Sequence, residues 1–396
     1  MEQVYRRLPL ITALDGIADR PFYRGVVEHD CFDEFWKAYS MKGKYSECET
    51  PAYFQTGWYD NLVHEGFKCF RGWSQEARTQ EARKTAKLLV GPWPHNPMGK
   101  GGRFGDIDFG PNGEMDLIAE HARWFDQRLR GIETGIDDEP PIRIFVMGEN
   151  VWRTEHEWPL SRIQQTDFFL HSGGKANSRD GDGRLSPAPP ETEPVDAFTY
   201  DPNDPVPTHG GPSMFAENRG PLDRRVIERR DDVLVYTTEP LTADVEVTGP
   251  IELTLYAASS APDTDFTAAL IDVHLDGKAI ILTDGIIRAR YRESYEQPSL
   301  IEPGQFYEYK IVLWETSNLF KAGHCIRLEI SSSNFPRFDR NQNTGHKPGM
   351  DAELAVAEQT IRHDTQHPSR LTLPVIPRWD EPESYGYLRF IRLMRT

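Results

Sequence analysis

The sequence predicts an α/β layer followed by an all-β domain, and three observations carry that prediction. Between Pro51 and Gly148, short apolar runs alternate with helix-length amphipathic segments, the pattern of a parallel sheet with crossover helices. From Val233 onward, short strand-like runs recur with Gly, Pro and Asp between them and no helix, which reads as a β-sandwich of the jelly-roll kind. The first pattern supplies only three strands, too few for a sheet buried on both faces. The α/β part is therefore expected to be a partial sheet, completed by another chain or by an N-terminal portion outside this sequence.

Taken in order, residues 1–49 are mixed and aromatic-rich, with a helical patch at Phe32-Asp33-Glu34-Phe35-Trp36-Lys37-Ala38-Tyr39 and no sheet of their own. Residues 50–160 form the α/β unit. A strand at Ala52–Thr56 leads to Asp60. The helix after it carries Val63, Phe67, Phe70, Trp73 and Ala77 at steps of three and four, one apolar face for a core. Lys87–Val90 is the next strand and leads to His95. Gly99 to Gly113 reads as a glycine-rich loop, of which Gly99 to Gly105 reads as merely flexible. It lacks the Walker pattern and opens no helix, so it is not a phosphate cradle. A second helix places Ile118, Ala122, Phe125 and Leu129 on one face, with Gly131 as C-cap. Ile142–Gly148 is the third strand.

Residues 161–222 are proline-rich, with nine prolines between Pro187 and Pro221, and read as an irregular, extended connection. Phe198, Tyr200 and Phe215 are placed to pin it to a surface. Residues 223–378 are the β domain. Its strands are expected at Val233–Tyr236, Ile251–Tyr256, Thr267–Leu275, Ala279–Leu282, Tyr307–Leu313 and Ile326–Ser331, with Asp276-Gly277 a hairpin signal. Residues 379–396 form a tail with no assigned role.

Length and charge bound the function. The chain of 396 residues has room for two or three domains, and its net charge of −17 argues against nucleic acid and anionic membrane as partners. No apolar run approaches a membrane span. Arg6, Arg7, Asp15, Asp19 and Arg20 are unlike a secretory leader. Cys31, Cys48, Cys69 and Cys325 are scattered, which suits reduced thiols and a cytoplasmic protein.

An acid just beyond one strand and an imidazole just beyond the next are the second and third members of a nucleophile–acid–histidine triad in α/β-hydrolase chain order. No Gly-x-Ser-x-Gly elbow occurs anywhere in the chain. Ser74, Ser172 and Ser213 lie nearest a glycine, and none stands on a strand-to-helix turn, so no nucleophile is assigned. Read alone, His95 also fits a histidine bonded in a Pro-flanked turn, and Asp60 a helix N-cap.

The chain resembles the cocaine esterase / X-Pro dipeptidyl-peptidase family of serine hydrolases over about Leu8 to Ile376. The carriers are His29-x-x-x-Asp33-x-x-Trp36, Gly57-Trp58-Tyr59-Asp60, Gly91-Pro92-Trp93-x-His95, Arg123-Trp124-Phe125-Asp126, Phe145-Val146-Met147-Gly148, Tyr200-Asp201-Pro202, Asp263-Thr264-Asp265-Phe266 and Asn343-Thr344-Gly345, in family order and spacing. The resemblance implies part of a helical cap over 1–49, the C-terminal part of an α/β-hydrolase domain and a C-terminal jelly roll. It further implies Asp60 and His95 as catalytic acid and base, with the serine upstream. Trp58 and Trp93 are expected to line a substrate pocket or to pack. The implied activity is cleavage of ester, amide or Xaa-Pro bonds. The competing readings are a non-catalytic binding protein that uses the jelly roll, or a subunit completing another chain's sheet.

No cofactor and no metal are expected. His29 with Asp33 lacks a third ligand and reads as a hydrogen bond, and Asp263 with Asp265 reads as a turn rather than a calcium site. The expected partners are a small ester, amide or peptide, and either a second copy or a complementing N-terminal chain.

Overall fold

The computed structural model describes residues 2–17, 20–100, 102–214 and 217–377. The tail 379–396 and Phe215 therefore lie outside the described residues.

The leading segment holds three short helices, α1 (Glu2–Tyr5), α2 (Pro21–Glu28) and α3 (Glu34–Tyr39). Asp33 caps α3 by accepting from Phe35 N at 3.0 Å and also bonds His29 Nδ1, while the His29 ring stacks on Phe35 with centroids 4.4 Å apart. The His29–Asp33 pair is thus the hydrogen bond the sequence suggests. This segment leans on loops of the β domain: Ile11 N donates to Gly349 O, Phe32 N to Tyr295 O, and Lys347 Nζ to Glu28 O.

The α/β unit is a four-stranded sheet in the order β1 (Tyr53–Tyr59), β2 (Lys87–Pro94), β5 (Ile142–Val146) and β6 (Val151–Glu155). β1, β2 and β5 are parallel, and β6 returns antiparallel as a fourth strand that the sequence pattern did not signal. Its alternation is masked by Trp152 and Arg153 on a half-exposed edge. Gly57 is required where β1 meets β2, because a Cβ there would collide with the Trp93 carbonyl.

Helix α4 (Val63–Glu76) crosses from β1 and α5 (Gln80–Thr85) leads into β2. Val63, Phe67, Phe70 and Ala77 are buried, as their spacing predicts, and Trp73 packs at the rim. Helix α6 (Leu117–Arg130) is capped by Asp116 and, as predicted, by Gly131 in the left-handed region. Its apolar stripe, however, covers no core: Ile118 is 81% and Leu129 76% exposed, and Phe125 is half-exposed. Before α6, the glycine-rich stretch is not an open loop. It forms the small ribbon β3 (Arg103–Phe104) with β4 (Ile107–Asp108), and Phe109 beside it is buried.

The β domain is an eleven-stranded sheet that folds back on itself. The stretch 161–222 is not a mere connection. It contributes β7 (Gln164–His171), β8 (Arg184–Ser186) and β9 (Asp196–Tyr200), of which β7 lies inside the sheet. Prolines fall in the turns between these strands, so local composition conceals pairing made with distant partners. The remaining strands are β10 (Leu234–Thr237), β11 (Val245–Ser259), β12 (Asp265–Val273), β13 (Ala279–Arg288), β14 (Tyr307–Phe320), β15 (Cys325–Ser331), β16 (Ala357–Arg362) and β17 (Arg370–Ile376).

β11 is the spine, pairing with β14 on one side and with β17 and β16 on the other. Pro250 sits at its bulge, where no ladder hydrogen bond is lost. β12 and β13 form the hairpin predicted at Asp276-Gly277, with Gly277 at φ +80. β13 and β14 approach so closely that a Cβ at Gly285 would strike the Val312 carbonyl. Asp263 and Asp265 pair with Arg290 and Arg288, as charges neutralised at a strand start.

One continuous apolar core runs from Trp58 and Phe67 through Phe145 to Leu253, Phe266 and Phe320, joining the two parts. Across the junction Met147 N donates to Ser317 O and Leu319 N donates to Met147 O, and Tyr59 OH donates to Ile281 O at 3.3 Å. The four cysteines are free, and no helix of the described residues is long and apolar enough to cross a membrane.

Candidate active site

β1 and β2 are adjacent and parallel, so the residues just past their C-terminal ends meet on one edge of the sheet, where open α/β sheets place their ligands. Asp60 follows β1 and His95 follows β2. His95 Nδ1 lies 3.1 Å from Asp60 Oδ1. The same oxygen accepts from Leu62 N at 3.0 Å, and Oδ2 accepts from Thr56 Oγ1 at 3.1 Å. Asp60 is 2% exposed, whereas the His95 side chain is 42% exposed.

Three hydrogen bonds fix the carboxylate in place, and because a carboxylate oxygen accepts, the imidazole hydrogen that meets it belongs on Nδ1. Nε2 then presents its lone pair, and among the described residues it has no hydrogen-bond partner. This is the orientation a general base needs toward a hydroxyl. The bond from Leu62 N closes a turn on Asp60 ahead of α4, whose N-cap is Leu62, so Asp60 is not itself the helix cap that the sequence also allowed.

The two tryptophans are structural. Trp58 is buried, its Nε1 donates to Phe145 O at 2.7 Å, and its ring stacks on Phe67 at 5.8 Å. Trp93 is buried, donates to Gly113 O at 2.5 Å and lies against Trp152. Neither presents a face to a ligand, so of the two expectations for them it is packing that the structure favours. Leu62 is an exposed apolar side chain beside the pair.

Sequence reasoning missed two supports. Thr56 is a hydroxyl four residues before the acid on the same strand, and only folding shows that it faces Asp60. His64 in the first turn of α4 bonds Glu315 at 2.9 Å and stacks parallel on Trp314, tying the helix after Asp60 to β14. Trp314 takes φ 64, a conformation a bulky residue adopts only when its surroundings impose it.

The serines nearest glycine are accounted for elsewhere. Ser74 lies half-buried on α4 and donates to Arg71 O. Ser213 is buried in the loop before β10. Ser172 sits beside His363, Asp196 and Glu193, a grouping that superficially resembles a triad. Its hydroxyl donates to Asp196 at 2.7 Å, and His363 Nε2 and Nδ1 face Asp196 at 2.9 Å and Glu193 at 3.1 Å.

Burial disfavours charge on His363, but the hydrogen bond and charge of Asp196, with Glu193, outweigh it and raise the imidazolium above its ordinary value. Asp196 is likewise penalised by burial, yet bonds from His363, Ala176 N, Ser172 and Tyr236 hold it below the usual carboxylate range. The network faces inward, with Glu193 at its rim, and the Ser172 hydroxyl, 3.2 Å from His363 Nε2, donates to Asp196 rather than to the imidazole.

Residues 9–97 match the X-Pro dipeptidyl-peptidase (S15 family) model, and residues 134–372 match the X-Pro dipeptidyl-peptidase C-terminal non-catalytic domain. The chain is 43% identical over 359 residues to the cocaine esterase of Rhodococcus sp. (strain MB1 Bresler), covering 89% of this chain and 61% of the esterase. It therefore spans about six-tenths of the length of that relative.

Among solved structures, an α-amino acid ester hydrolase superposes with a TM-score of 0.79 at 25% identity, over 95% of this chain and 64% of the other. An aminopeptidase from a marine-sediment Thaumarchaeota archaeon has the same fold, with a TM-score of 0.82 at 23% identity over 95% and 63%. The chain belongs to the cocaine esterase / X-Pro dipeptidyl-peptidase (S15) family of hydrolases.

Proposed function

We propose that this chain is the acid- and histidine-bearing part of a serine hydrolase that cleaves ester, amide or Xaa-Pro peptide bonds through an acyl-enzyme, with its nucleophile on a segment outside this sequence. The observation that carries the reading is the Asp60–His95 pair, with the carboxylate locked by Thr56 and Leu62 and the imidazole Nε2 turned outward. In the completed enzyme, Nε2 takes the serine proton as the hydroxyl attacks the carbonyl. It then returns that proton to the departing alcohol or amine, and repeats the cycle with water to release the acid. Asp60 keeps the imidazole in the productive tautomer and stabilises its cation.

The incomplete sheet supports the same reading. β1 is an edge strand among the described residues, and the Ile118–Leu129 stripe of α6 has no core to cover. A Ser-bearing segment that adds strands beside β1 supplies both the nucleophile and the missing apolar partner. The test is to fuse the upstream portion of the Rhodococcus relative ahead of Leu8 and assay hydrolysis of an activated ester. Turnover that disappears with His95→Ala supports the reading. Turnover indifferent to both Asp60 and His95 overturns it.

A further inference from the structure

Away from the Asp60–His95 pair, the β domain brings together three metal-ligating side chains from three places in the chain. Asp272 lies near the end of β12, His274 in the hairpin that follows, and His324 in the turn between β14 and β15. One potential ligand atom from each lies within 4.8 Å of the others. Asp272 Oδ1 is 2.8 Å from His324 Nδ1, and Oδ2 is 3.6 Å from His274 Nε2. The two imidazoles stack with centroids 4.6 Å apart.

Backbone bonds hold the positions: His274 N donates to Lys278 O, and Leu241 N donates to His324 O. Asn318 Nδ2 donates to the Asp272 carboxylate at 3.3 Å, as an outer support to a ligating oxygen. Asp272 and His324 are buried, while the His274 side chain is 27% exposed, which leaves one side open for entry.

We propose that Asp272, His274 and His324 bind one divalent transition-metal ion of the zinc class. Two imidazoles and a carboxylate are the donor set of that class, whereas calcium and magnesium demand oxygen throughout. Ligand atoms on a tetrahedral ion sit about 3.4 Å apart, given bonds of about 2.1 Å. The His274–Asp272 spacing already fits. The shorter His324–Asp272 contact opens when the ion replaces the proton now shared between them. Three protein ligands leave a fourth position for water on the His274 side, and the ion ties the β12–β13 hairpin to the β14–β15 turn.

The test uses the full 396-residue chain stripped of metal and titrated calorimetrically with Zn2+, and with Co2+ to read coordination from its visible spectrum. Expected are one ion per chain, a Co2+ spectrum of low coordination number and a raised Tm with metal. His274→Ala, at a partly exposed side chain, should keep the metal-free Tm and weaken binding more than about a hundredfold, beyond the loss typical of an outer-shell change. His324→Gln should do the same, and His29→Ala should change nothing. No binding, or binding that survives both His274→Ala and His324→Gln, overturns the proposal.

Discussion

Asp60 with His95 and Asp196 with His363 are the same chemical pair, at 3.1 Å and 2.9 Å, in opposite surroundings. In the α/β part only the acid is buried, and the imidazole keeps one nitrogen open. In the β domain both partners are buried, both ring nitrogens are occupied and a second carboxylate, Glu193, closes the group. The contrast extends to apolar surface: α4 is sealed on its core face, while α6 leaves an equally regular stripe uncovered. One carboxylate–imidazole pair leaves a ring nitrogen open for chemistry, and the other has both ring nitrogens occupied. A carboxylate–imidazole pair is thus functional or structural according to what its outer nitrogen meets.

The largest expected effect separates the two histidines by activity. In the completed enzyme, His95→Ala should lower kcat about a million-fold with an unchanged melt, the scale of losing the triad histidine. A loss under about tenfold in a stopped assay would make His95 structural and erase the contrast.

The converse holds for His363. His363→Ala strands Asp196 as a buried unpaired charge and should cost about 3–5 kcal/mol in urea unfolding. A cost below about 1 kcal/mol would show the network to be dispensable. Its pH dependence sharpens the point. The raised His363 stabilises below the ordinary histidine value near 6.5, and that contribution is lost as pH rises through its folded value. The lowered Asp196 stabilises above the ordinary carboxylate value near 3.9 and is lost as pH falls through its own folded value. The network therefore contributes most between about pH 4 and 6.5, and a stability–pH curve of His363→Gln should lose that maximum.

The two helices give a matched pair. Phe67→Ala on α4 should destabilise the chain by about 3–5 kcal/mol, whereas Phe125→Ala on α6 should cost less than about 0.5 kcal/mol. Equal costs would mean that α6 is covered in solution by a second copy, which sedimentation would reveal. The smallest effect is at Thr56. Thr56→Val removes one bond to Asp60, worth about 1 kcal/mol, and should slow the completed enzyme by five- to tenfold.

What could be read beforehand follows the range of the interactions. Asp60 and His95 were legible because each follows its own strand and adjacent parallel strands bring such positions together. The apolar face of α4 was legible from spacing. The face of α6 was equally legible, but periodicity reports which side is apolar and says nothing of what covers it. β9 was hidden because its partner β16 lies far along the chain and prolines flank the strand. The Ser172–His363 contact spans 191 positions and His324–Asp272 spans 52, so no local pattern could announce either.

The central claim is that the open nitrogen of His95 serves a serine outside this sequence. Fluorophosphonate labelling followed by peptide mapping tests it most directly, on the 396-residue chain alone and on the chain extended upstream by the Rhodococcus portion. Expected is no labelled serine in the chain alone and one in the added segment, with labelling abolished by His95→Ala. Stoichiometric labelling of a serine within these 396 residues would contradict the claim.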